Sequence, residues 1–127
     1  MTRYDKGARS ERELLNMLDQ KGYSVLRSAG SGVNALSPDL IALRKGKGLV
    51  IECKAWEKSS LSLAPEQFEK ILEWETRTEF PTFVAWRMNG MGWFFIKPAE
   101  FVRGKSNWNV TRRNVLQRNR KLEDVLE

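Results

Sequence analysis

Three residues give this chain its clearest chemical potential: Asp39, Glu52 and Lys54. Ser37-Pro38-Asp39 opens a strand-like run, Pro38 to Leu43, and Glu52-Cys53-Lys54 closes the next one, Leu49 to Lys54. Strand side chains alternate faces. Glu52 and Lys54 therefore point one way, and Cys53 points the other way with Leu49 and Ile51. The linker Arg44-Lys45-Gly46-Lys47-Gly48 is turn-like, so the two runs pair as a hairpin. The start of one strand then lies beside the end of the other, and Asp39 comes within reach of Glu52. Two carboxylates and a lysine on one face suit hydrolysis of a phosphodiester. The carboxylates hold a divalent cation, which polarises the phosphoryl oxygen and lowers the pKa of a bound water. The lysine orients that water, helps to deprotonate it, or offsets charge developing in the transition state. Taken singly, each feature has a plainer explanation. Glu-Cys-Lys is also the pattern of a solvated strand face, and Ser-Pro-Asp that of a turn.

Glu11 adds a third carboxylate. It precedes Leu14, Leu15 and Leu18 at helical spacing, so it lies on the stripe that faces the core. An unpaired buried charge is costly, and a cation shared with Asp39 and Glu52 would supply a partner. Pairing with Arg9 or Arg12 at a frayed helix start is the alternative.

Composition narrows the chemistry further. The 127 residues contain no histidine and one cysteine, Cys53. Histidine-based nucleophilic catalysis, an internal disulfide and a multi-cysteine or histidine zinc site are all excluded. Oxygen ligands favour Mg²⁺ or Mn²⁺. Lysine and arginine total 22 against 16 acids. Seven of these cations (Arg103, Lys105, Arg112, Arg113, Arg118, Arg120 and Lys121) fall in one stretch without an acid, and the rest of the chain is close to neutral. Such a segment suits a polyanion such as nucleic acid, or forms a solvated tail. No apolar run approaches a membrane span and no signal peptide is evident, so a cytoplasmic protein is expected.

The elements that must position these residues follow from periodicity. Lys6 to Lys21 reads as an amphipathic helix ended by Gly22, started by a Ser10/Glu13 capping box or by Asp5. Tyr23 to Arg27 is a short strand, and Ser28 to Ser37 a Ser/Gly/Asn-rich loop. Trp56 to Leu63 reads as a loop, and Ala64 to Arg77 as a second helix with Pro65 in its first turn. Thr82 to Arg87 and Gly92 to Ile96 flank an Asn89-Gly90 hairpin turn. Past Pro98 the pattern weakens, with a short helix somewhere within Val110 to Leu126. The fold class is α/β in a single domain: a mixed sheet of about five strands flanked by helices. Residues 103–127 form a basic, partly irregular end.

Pro38-Asp39 followed by Glu52-Cys53-Lys54 resembles the PD-(D/E)xK nuclease signature. The wider pattern is more specific. Lys6-Gly7, Glu11-Arg12-Glu13-Leu14-Leu15, Gly22-Tyr23 and Arg27-Ser28-Ala29-Gly30-Ser31-Gly32 resemble the archaeal-type Holliday-junction resolvases. The likeness runs from Lys6 to Lys54 and continues loosely through Gln67 and Trp93-Phe94-Phe95, and past Pro98 none is apparent. Several viral and phage enzymes share this nuclease core, so an archaeal, viral or phage source fits equally. The resemblance implies a restriction-endonuclease-like core and a homodimer. It also implies binding of four-way DNA junctions by shape, and paired nicks of opposed strands with Mg²⁺ or Mn²⁺. It implies metal-site carboxylates at Glu11, Asp39 and Glu52, a further metal ligand in the Cys53 carbonyl and a catalytic lysine at Lys54. Arg12 matches a basic residue needed for activity. Ser31 matches an active-site loop serine, with Ser28 and Ser37 as nearby alternatives.

A junction-resolving enzyme makes two cuts, so one site per chain predicts a two-fold dimer. Phe83, Trp86, Trp93, Phe94 and Phe95 exceed what one small sheet face needs, so some of them are expected between protomers. Phosphate contacts are expected from Arg3, Lys6, Arg9 and Arg12 and from the loop Gly30, Ser31 and Gly32. Two rivals remain open here: a related endonuclease acting on linear, nicked or mismatched duplex, and a DNA-binding protein without catalysis.

Overall fold

Leucines at helical spacing wind the start of the chain into α1 (Arg3–Gln20), which lays Leu14 and Leu18 onto a β-sheet. In this computed structural model residues 3–28 and 37–126 are described, with side chains from Gly7 onward. The helix starts before the expected Lys6. Asp5 and Ser10 therefore lie within the helix and not at the position before its first residue. Glu13 makes no capping box with Ser10. It reaches across to Arg87 Nε at 3.0 Å and Trp93 Nε1 at 2.8 Å. Gly22 ends α1 as expected, at φ 90°. Its N–H donates to the Asp19 carbonyl (3.0 Å) and that of Tyr23 to the Leu18 carbonyl (3.1 Å), the pattern of a Schellman cap.

The sheet follows in order: β1 (Ser24–Arg27), β2 (Leu40–Arg44), β3 (Lys47–Ala55), β4 (Ser60–Leu63), then α2 (Pro65–Thr78), β5 (Thr82–Met88) and β6 (Gly92–Ile96). Five of these strands form one sheet in the order β1-β2-β3-β5-β6. β3 pairs antiparallel with β2 and parallel with β5, so the sheet is mixed, as expected. The hairpin between β2 and β3 turns on two residues, Lys45 (φ 49°) and Gly46 (φ 79°). The expected five-residue linker is thus mostly strand. Gly48 lies against the Phe80 ring, where a Cβ would come within 2.6 Å, so a side chain here would force that ring to move.

A second sheet went unexpected. β4 pairs antiparallel with β8 (Trp108–Thr111), which pairs with β7 (Val102–Arg103). The expected loop from Trp56 to Leu63 is therefore a strand over its last four residues, with Leu61 and Leu63 fully buried. The chain ends in α3 (Arg112–Arg118) and α4 (Leu122–Val125). The C-terminal segment is thus largely regular. Arg118 and Arg120 both bind Glu100 at 2.7 Å, and the Lys121 ammonium sits 3.9 Å from the Phe94 ring centroid. Much of that basic run has structural partners within the chain.

Both faces of the large sheet are covered. α1 and α4 pack on one face, over Leu40, Ala42, Ile51, Phe83 and Phe95. α2, α3 and the small sheet pack on the other, over Val84, Trp86, Phe94 and Ile96. This corrects the expectation of aromatics between protomers, because Phe83, Trp86, Trp93, Phe94 and Phe95 are all buried within one chain. No helix among the described residues is long and apolar enough to cross a membrane.

The Glu100 cluster yields a stability prediction. Its carboxylate takes Arg118, Arg120 and the Lys97 N–H. Burial alone would raise its pKa, but the Arg120 hydrogen bond and the Lys97 N–H prevail and hold it below the ordinary 4.5. Glu100→Ala should destabilise the fold by about 2–3 kcal/mol, read from urea unfolding at pH 7. A carboxylate lowered in the folded state contributes above its unfolded pKa and loses that contribution as pH falls through the folded value. The gap between variant and parent should therefore shrink in acid.

Candidate active site

The β2–β3 register brings the two acids together. Leu40 pairs with Ile51, so Asp39, one residue before β2, falls opposite Glu52. The Cys53 N–H donates to Asp39 Oδ2 at 2.8 Å, and the Ser28 N–H to the Asp39 carbonyl at 2.9 Å. Asp39 is thus fixed between β1 and β3 just beyond the ladder. Glu52 is 5% exposed. Its Oε2 receives Gln67 Nε2 at 3.2 Å and lies 3.6 Å from Lys70 Nζ. Its Oε1 is buried with no hydrogen-bond partner. Cys53 packs with the core beneath α1, as strand alternation requires. Lys54 follows Glu52 on the opposite face and lines an open cleft with Gly7, Ala55, Trp56 and Lys58.

The three carboxylates act on one another electrostatically. Burial raises the Glu52 pKa, and repulsion from Asp39 raises it further. Glu11 is raised first by burial and then by Asp39, against the pull of Arg27, whose Nε lies 3.5 Å from Glu11 Oε1. Burial pushes the Cys53 thiol well up, which leaves it protonated and unreactive at neutral pH.

Each acid has its own internal partner: Glu11 turns to Arg27, Asp39 to the Cys53 N–H, and Glu52 to α2. Among the described residues no three acidic or thiol groups therefore stand together as a finished metal cage. The donor chemistry nonetheless fits a hard divalent cation. The partnerless Oε1 of Glu52 is an acceptor that such a cation would satisfy, and its charge would reverse the repulsion that raises these carboxylates.

Arg9 and Arg12 are exposed on α1. The backbone of Arg3 and Lys6 belongs to the same helix, and their side chains lie outside the description. Gly30, Ser31 and Gly32 lie outside the described residues. Sequence reasoning missed Arg27 as the partner of Glu11, and Gln67 and Lys70 as partners of Glu52. The available signal was weak: two polar residues three apart on α2, beside the Phe68–Ile71 stripe.

The family model for archaeal Holliday junction resolvase (Hjc) matches residues 2–127. The chain belongs to this family. The match extends past Pro98, where the sequence likeness was not apparent, and takes in the second sheet and the C-terminal helices. The crossover junction endodeoxyribonuclease Hjc of Methanocaldococcus jannaschii is 39% identical over 97 residues, 76% of this chain and 68% of the relative. That of Archaeoglobus fulgidus is 29% identical over 106 residues, 83% of this chain and 78% of the relative. The solved structure of Archaeoglobus fulgidus Hjc, a Holliday junction resolvase from an archaeal hyperthermophile, superposes with a TM-score of 0.79 at 26% identity. That superposition covers 87% of this chain and 93% of the other. The bacterial homing endonuclease I-Ssp6803I shares the fold, with a TM-score of 0.52 at 15% identity over 87% of this chain and 76% of the other. The Hjc-family chain therefore has a nuclease fold, with the mixed five-stranded sheet flanked by helices that the sequence implied.

Proposed function

We propose that this Hjc-family chain is a homodimeric, structure-selective endonuclease. It resolves four-way DNA junctions by paired nicking of opposed strands, with Mg²⁺ as cofactor and Mn²⁺ as a substitute. The observation that carries this reading is the buried, partnerless Oε1 of Glu52, opposite Asp39 and two residues from Lys54 along β3, in a chain of this family.

Asp39, Glu52 and the Cys53 carbonyl would hold the cation, and Glu11 would join them on leaving Arg27. When bound, the cation neutralises phosphate charge and acidifies a water. The residues around it do the rest. Cys53 N–H holds one Asp39 oxygen, so the other is left for a ligand role. Lys54 lines the open cleft, and it would steer a proton or meet charge on the phosphate. Arg9 and Arg12, with Arg3 and Lys6, would contact phosphates along α1, and Gly30, Ser31 and Gly32 would seat the strand. Ser31 and Arg12 are assigned catalytic support on family likeness. Opposed strands at a junction are related by a two-fold axis, and an isologous dimer places one site on each.

The deciding experiment offers the purified protein, with Mg²⁺ or Mn²⁺, a four-way junction and a linear duplex of the same sequence. Paired nicks in the junction, with the duplex left intact at equal enzyme concentration, are the expected result. Preferential cutting of the duplex would move the chain to a duplex-acting relative. Binding without cutting of either substrate would make it a non-catalytic DNA-binding protein. Junction binding should also weaken steeply with added salt, because phosphate contacts release counterions.

A further inference from the structure

The two oxygens of Glu52 stand in opposite situations. Oε2 is gripped from α2 by Gln67 Nε2 at 3.2 Å and Lys70 Nζ at 3.6 Å. Oε1 has no partner. Lys70 does more than meet Glu52. Its ammonium also donates to the main-chain carbonyl of Ser37 at 3.4 Å, two residues before Asp39. One side chain, 11% exposed, thus spans both segments that bear the acid pair. α2 does not need these residues for its core contacts, which Phe68 and Ile71 supply.

A carboxylate turns easily about its last side-chain bond, where the torsion is broad and two-fold. Left unheld, Glu52 would present either oxygen in a range of orientations. We propose that Lys70 and Gln67 are positioning residues. They pin Oε2 of Glu52, tie the Asp39 segment through the Ser37 carbonyl, and so aim Oε1 at a divalent cation. This rests on the reading of Glu52 as a cation ligand. It extends that reading from the ligands themselves to the groups that orient them, which commonly govern metal affinity. The competing role for Lys70 is a counter-ion that the cation must displace. The geometry favours positioning, since both α2 groups share one oxygen and leave the other clear. The two roles predict opposite signs, because loss of a counter-ion would tighten cation binding and loss of a positioning group weakens it.

The test measures Mn²⁺ binding to the full chain without DNA, by calorimetry or by the resonance of free Mn²⁺. Lys70→Met should weaken binding about 10–100-fold, and Gln67→Leu about 10-fold. Lys70→Arg, which keeps a charged donor, should restore most of the loss. In junction cleavage, the Mn²⁺ concentration for half-maximal rate should rise by the same factors. Circular dichroism in EDTA establishes that each variant is folded, and if Lys70→Met is not, Gln67→Leu decides. A folded variant that binds Mn²⁺ as tightly as the parent, or more tightly, overturns the positioning role. If the parent itself binds no Mn²⁺, the cation reading of Glu52 falls and this inference falls with it.

Discussion

Glu52→Gln and Asp39→Asn should each slow junction cleavage by about a thousandfold or more, while junction binding persists. A bound cation contributes several kcal/mol of transition-state stabilisation, and about 1.4 kcal/mol is a factor of ten in rate. Both substitutions keep the side-chain shape and remove the charge that a hard cation needs. DNA affinity should survive because the phosphate contacts are assigned to other residues, those of α1 and Gly30, Ser31 and Gly32. Gel-shift binding in Ca²⁺ beside single-turnover cleavage in Mg²⁺ separates the two effects. Wild-type rates in both variants would remove the assigned site. The same carboxylates imply a pH dependence. Burial first, and then repulsion from Asp39, raises Glu52 and Glu11 above their ordinary 4.5. Cation ligands must be deprotonated, so a raised pKa moves proton competition to higher pH. Mn²⁺ affinity should therefore begin to fall, as the solution is acidified, while still above pH 4.5. A binding curve flat down to that value would contradict the raised pKa of these groups or their role as ligands.

Lys54→Ala should cost about 10²–10⁴-fold in cleavage, with both junction binding and Mn²⁺ binding close to the parent. The lysine follows Glu52 on the same face of β3 and opens onto the cleft, and none of its assigned work is to hold the cation. Raising the Mn²⁺ concentration should therefore not rescue it. That distinguishes Lys54 from Lys70, whose loss should be felt first as weaker cation binding. Lys54→Arg separates the two chemical roles still open for the ammonium. Arginine keeps the charge but does not give up a proton, so partial activity would mark charge stabilisation and none would mark proton handling. Full activity in Lys54→Ala would take Lys54 out of the mechanism.

Much of the candidate site was legible in the sequence because the rules that build it are local. The alternation of β3 placed Glu52 and Lys54 on one face and Cys53 on the other, and the structure keeps that arrangement. The hairpin set Asp39 opposite Glu52 once its turn was recognised. Pro65 marked the first turn of α2, and Asn89-Gly90 the turn between β5 and β6. The tertiary structure alone decided what meets those faces. Ser60-Leu61-Ser62-Leu63 alternates like a strand, but its partner β8 lies nearly fifty residues later, so a four-residue pattern had no local support. The five aromatics exceeded the needs of one sheet face because the sheet has two covered faces, the second closed by that unexpected small sheet and α3.

Asp39, Glu52 and Lys54 were thus set by spacing and alternation, which are properties of a single hairpin. Glu11 was placed on the core-facing stripe of its helix, yet only the folded chain brought Arg27 to it. Only the folded chain set Gln67 and Lys70 against one oxygen of Glu52 and left the other bare. Periodicity reports which way a side chain points. What stands there to meet it depends on elements distant in sequence, and for Glu52 that is the packing of α2 across β3.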